Sequence, residues 1–172
     1  DNAFDGLADQ TVTATTTDND TAAFILSTTT ASVSEAGSTD TFTVVLDTQP
    51  LSDVVFTVVS ADTGEATVSP ATLTFTNGNW NATQTVTVTG VDDIIDDGDQ
   101  STKITIAVDD DNSDNAFDGV ADQTVTATTT SDDDTAGYTL SGTTATVTEA
   151  GSTATFTVVL DTQPLSDVVF TV

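Results

Sequence analysis

The chain has 172 residues, of which 28 are acidic and one, Lys103, is basic, giving a net charge of −27. A field of that sign repels nucleic acid and anionic membrane surfaces, so neither is expected as a partner. Cysteine and histidine are absent, which excludes disulfides and zinc-thiolate sites, and no apolar run approaches the roughly 18 residues that cross a bilayer.

Residues 1–17 recur at 114–130 with one difference, Leu7 against Val120, and residues 21–58 recur at 135–172 with seven differences. A period of 113 to 114 residues marks a tandem array. The expected organisation is the tail of one unit at 1–20, a complete unit at 21–134, and the first third of another at 135–172. A unit of this length can bury one core.

In chain order, the first strand is expected at 23–26, broken and joined by Val33. Further strands follow at 41–46, 54–59, 73–75, 85–89, 103–108 and 124–128. Each alternates apolar residues with Thr or is continuously apolar, and each is bounded by Asp, Asn, Gly or Pro. No long helix is visible. The pattern predicts a seven-stranded antiparallel β-sandwich of immunoglobulin-like type. Its core is expected to hold Phe42, Val44, Leu46, Phe56, Leu73, Phe75, Val86, Val88, Ile104, Ile106 and Val125, with the alternating threonines facing water and Trp80 covering one end.

If the strands run alternately up and down, the acids sort by end. Glu35, Asp40, Asp62, Glu65, Asp92, Asp93, Asp96, Asp97, Asp99, Asp132, Asp133 and Asp134 fall at one end, with no base among them. Asp47, Asp53, Asp109, Asp110, Asp111, Asp114, Asp118 and Asp122 fall at the other. Two like charges about 6 Å apart in water repel by roughly 0.7 kcal/mol, so five clustered carboxylates would cost on the order of 7 kcal/mol before screening. That is comparable with the ~5–15 kcal/mol stability of a domain. With one lysine in the chain, compensation by side chains is excluded, and Ca²⁺, which accepts six to eight oxygen ligands in flexible geometry, is the expected counterion.

Several motifs together resemble a Calx-beta domain. They are Ser34-Glu-Ala-Gly37, Thr72-Leu-Thr-Phe75, Thr85-Val-Thr-Val-Thr-Gly-Val-Asp-Asp93 with Asp96-Asp97, and Ser131-Asp-Asp-Asp134-Thr-Ala-Gly137. The resemblance is to the versions strung in tandem in large bacterial surface adhesins, including those of the repeats-in-toxin type. It implies Ca²⁺ at one tip, an extracellular location, and ligands from Glu35, from Asp92, Asp93, Asp96 and Asp97, and from Asp132, Asp133 and Asp134. The family's Gly-Ser-Asp-Tyr pattern is absent, leaving Asp62 or Glu65 as the further ligand. Glu149 is the copy of Glu35 in the following unit.

Other readings stay open. The Asp runs also suit solvated turns, the long 109–122 loop in particular. Trp80 and the turn around Pro50 would serve a glycan- or protein-binding module. Lateral bundling of arrays into a filament or matrix, bridged by Ca²⁺, is a third reading, alongside contact with neighbouring repeats of the same chain. Catalysis has little to stand on, with neither His nor Cys, and the chain is not expected to be an enzyme.

Overall fold

The computed structural model describes residues 2–130 and 134–171. Two sheets pack face to face. One is formed by β1 (Phe24–Leu26), β3 (Thr39–Leu46), β7 (Gln84–Gly90) and β5 (Ala66–Ser69), in the order β1-β3-β7-β5. The other is formed by β2 (Thr30–Ser34), β9 (Gln123–Thr130), β8 (Gln100–Val108), β4 (Val54–Ser60) and β6 (Thr72–Phe75), in the order β2-β9-β8-β4-β6. Pairing is antiparallel except for β2 with β9, which run parallel.

Two of the expected seven strands are each divided between the sheets. The first passes from β1, against β3, to β2, against β9. On the opposite side β5 pairs with β7, and after the corner at Pro70 the chain continues as β6 against β4. The segment at 66–69 was not expected as a strand. Proline has no N–H to continue a ladder, so an edge strand that meets one changes partner there. Strands that switch sheets in this way make the corners of a sandwich.

Period-two alternation fills the space between the sheets. Every residue expected in the core is buried, and Phe24, Val33, Val54, Val58, Ala66, Phe117 and Ala127 join them. Phe56 lies at the centre, edge-on to Phe24 with centroids 4.8 Å apart and to Phe75 with centroids 5.9 Å apart. Such pairs add about 0.5–1.5 kcal/mol each beyond area burial. Trp80 packs partly buried against this cluster, and its carbonyl accepts the Leu46 N–H.

The 109–122 loop is not a set of solvated turns throughout. Asp114 is 6 % exposed and Phe117 1 %. The Asp114 carboxylate accepts the N–H groups of Leu51, Ser52 and Ala116, so it ties this loop to the 47–53 turn. Phe117 closes that end of the core.

Beyond residue 134, β10 (Tyr138–Leu140) pairs with β11 (Val158–Leu160). The register Tyr138↔Leu160 repeats Phe24↔Leu46 one period on. The Tyr138 and Phe170 rings meet edge-on at 5.0 Å, the counterpart of the 4.8 Å contact between Phe24 and Phe56.

Candidate metal centre

Strand direction decides which loops share an end. Ser34 of β2 lies opposite Thr130 of β9, Thr39 of β3 opposite Thr89 of β7, Ala66 opposite Gly90, and Gln100 of β8 opposite Thr129. Glu35, the 61–65 turn, the 91–99 loop and the exit of β9 therefore stand at one end of the sandwich.

The 61–65 turn is pinned from below by two threonines that sequence reasoning assigned no role. Thr102, 5 % exposed, accepts the Asp62 N–H on its hydroxyl, and Thr129, fully buried, donates its hydroxyl to the Glu65 carbonyl at 3.0 Å. The Val91 N–H meets that same carbonyl at 3.0 Å, joining the turn to the start of the 91–99 loop. A signal for both threonines was present. Thr102 falls in phase with Ile104 and Ile106, and Thr129 with Val125 and Ala127, so each occupies an inward position.

One of the candidate acids, Glu65, feels three others. The Glu65 carboxyl is pushed above its ordinary range first by burial, then by the charges of Asp97, Asp62 and Asp93. Both acids left as alternatives in the 61–65 turn thus belong to one neighbourhood. Asp97 Oδ1 is shielded from solvent and accepts no hydrogen bond. A buried acceptor left in that condition is costly unless some other positive charge meets it.

A second grouping lies beside the first. Glu35, 2 % exposed, shares a cleft of about 500 Å³ with Gly90, Val91 and Asp92. Asp134 also has a carboxylate oxygen, Oδ2, shielded from solvent. Asp96 is exposed and turned away, its Oδ2 accepting the Ala136 N–H at 2.7 Å. Glu149 is exposed, in contrast to Glu35. Asp132 and Asp133 lie outside the described residues.

Among the described residues, no group of three or more carboxylates is drawn close enough to hold an ion. Asp97, Asp62 and Asp93 lie near enough to Glu65 to raise its carboxyl, but the four side chains do not converge on one point. The donor set is nonetheless suited to a hard cation: it is all oxygen, it is acidic, and the chain's one basic side chain, Lys103, is exposed on β8.

Asp40, also at this end, serves the backbone. Its carboxylate accepts the Ser32 N–H at 2.9 Å and the Thr41 N–H at 2.7 Å, which hold its pKa below the ordinary value. The outward N–H groups of Thr30, Ser32 and Ser34 meet Thr28 Oγ1, Asp40 Oδ2 and Ser38 Oγ, so the free edge of β2 is closed by side chains.

No protein-family model matches the chain, and no curated protein matches it. Among solved structures the chain is similar to the E. coli chaperone DraB, with 9 % identity and a TM-score of 0.48 over 65 % of this chain and 57 % of that one. It is likewise similar to the apo form of the Calx CBD1 domain, with 15 % identity and a TM-score of 0.49 over 66 % of this chain and 100 % of that one. A third likeness, to the S-layer protein SbsC, has 26 % identity and a TM-score of 0.46, over 76 % of this chain and 16 % of that one.

Proposed function

We propose that the chain is a structural extender repeat of a secreted bacterial surface adhesin, stabilised by Ca²⁺ at one end of each sandwich. The observation that carries this reading is the raised Glu65 carboxyl among Asp97, Asp62 and Asp93. Burial and then those neighbouring charges raise the Glu65 carboxyl, and a divalent cation beside it would relieve both by favouring the charged form.

Glu65, Asp62, Asp93 and Asp97 would hold the ion, with Glu35, Asp92 and Asp134 supplying oxygens from the adjoining side; Asp132 and Asp133 are further candidates from the resemblance. When bound, the ion would offset two of the negative charges gathered at the tip. The residues themselves do the positioning: Thr102 and Thr129 fix the 61–65 turn, and the Val91 N–H fixes the loop that carries Asp92 to Asp97. Ligands drawn from the 91–99 loop and from the exit of β9 would tie the linker to the sandwich and stiffen the joint to the next unit.

A nine-residue strand such as β8 rises about 30 Å, so a unit with its loops extends a chain by roughly 40 Å. At a hundred times its dissociation constant, an ion bound only to the folded state adds about 2.7 kcal/mol. The test is a calorimetric titration of metal-free protein with Ca²⁺, paired with melting in chelator. Heat of binding and a lower melting temperature in chelator are expected; neither heat nor any shift would overturn the reading.

A glycan- or protein-binding module is the second reading. Trp80 lies partly buried against the core rather than standing free as a platform, which favours the spacer. A glycan array on the chain, repeated with Trp80→Ala, separates the two.

A further inference from the structure

Two backbone N–H groups from beyond residue 134 end on the 91–99 loop. The Ala136 N–H donates to Asp96 Oδ2 at 2.7 Å, and the Gln163 N–H donates to the Ile94 carbonyl at 2.8 Å. Ala136 belongs to the linker after β9 and Gln163 to the turn after β11, so one loop of the sandwich holds two separate points of the next segment. Around these bonds Asp96 shares a cleft of about 400 Å³ with Leu160, Pro164, Leu165 and Phe170.

The turn that makes this contact, Thr162-Gln-Pro-Leu165, is an identical copy of Thr48-Gln-Pro-Leu51. The earlier copy lines a cleft with Asp18, Asp20 and Ala22, and Ala22 is the counterpart of Ala136. In both copies, then, the same turn faces the linker that enters its own unit. Leu51 is 92 % exposed at the rim and Leu165 76 %, so the turn presents apolar surface beside a backbone N–H donor.

We infer that the Thr-Gln-Pro-Leu turn is a docking surface for the acidic 91–99 loop of the adjoining unit, and that the two backbone hydrogen bonds set the angle between consecutive units without a metal. The inference rests on the tandem reading of the chain but not on calcium. Both donors are backbone amides, one acceptor is a backbone carbonyl, and the Asp96 carboxylate has oxygens enough to accept an N–H and meet an ion together.

The chain has no cysteine, so Thr85→Cys and Thr153→Cys, both at exposed positions, give a unique pair of spin labels whose separation can be measured in calcium and in chelator. A narrow distance distribution in both is expected. Ala136→Pro with Gln163→Pro removes both donors and leaves every carboxylate in place; it should broaden the distribution in chelator about twofold. A second readout needs no variant: in chelator the Ala136 and Gln163 amides should exchange at least about tenfold below their intrinsic rates. A distribution in the unaltered chain as broad as in the variant, or exchange of both amides at the intrinsic rate, would overturn the docking surface. A narrow distribution in chelator combined with no calcium heat would support it while overturning the calcium reading.

Discussion

Gly90, the last residue of β7, has no room for a Cβ because the carbonyl of Ser34, the last residue of β2, fills that space. Strands from opposite sheets thus touch through bare backbone at the acidic end. The contact sets Glu35, the next residue, beside Val91 and Asp92.

Gly90→Ala should therefore force the ends of β2 and β7 apart. A cost of about 1–3 kcal/mol is expected, as for other overpacked interiors, together with weaker calcium binding because Glu35 moves from Asp92. Thermal melting with and without Ca²⁺ measures both; an unchanged melting curve in chelator would show that the backbone yields without cost.

Glu65 makes an unusual pH dependence at this end. Its folded pKa is raised above the ordinary 4.5 by burial and then by Asp97, Asp62 and Asp93. Its stabilising contribution is fully present below 4.5 and is lost as pH rises through the folded value, since the folded state holds the proton more tightly. Glu65→Gln should raise the melting temperature of metal-free protein at pH 7 by about 2–4 °C. The same substitution should shrink the stabilisation by Ca²⁺. A variant less stable than the parent in chelator would contradict the repulsion.

Asp114 behaves in the opposite sense. The N–H of Ala116, then that of Ser52, holds its carboxyl below the ordinary 3.8 against the opposing effect of burial, and the Leu51 N–H adds a smaller contribution in the same direction as the first two. Its contribution is present above 3.8 and lost as pH falls through the lower folded value. Asp114→Ala should cost about 2–3 kcal/mol at pH 7, as expected for hydrogen bonds to a charged group in a closed site. Denaturant melts at pH 7 and pH 3 should show the deficit narrowing toward acid.

Asp40 guards an edge. Asp40→Ala removes the acceptor that covers the Ser32 N–H and should cost about 1 kcal/mol. The position is Ala154 in the following copy. Light scattering during prolonged incubation should show faster self-association of the variant, because an uncovered strand edge templates another strand. Identical scattering would mean that the Thr30 and Ser34 contacts close the edge by themselves.

The sequence by itself determined the β-sandwich and its core. Alternation in 41–46, 85–89 and 103–108 leaves only one face of each strand apolar, and two such faces must meet. Strand parity likewise sorted the acids by end, because that depends only on how often the chain reverses. The tertiary structure decided what alternation cannot express. The strands at both edges divide between sheets at 27–29 and at Pro70, since an edge residue chooses its partner by position in space. Thr102, Thr129 and Asp114 became braces because burial leaves their polar atoms no partner but the backbone of the loops above them. Only the folded chain sets Glu65 apart from Asp96, one desolvated among like charges and the other turned toward Ala136, a distinction of dielectric and neighbours that two acidic letters in a sequence do not carry.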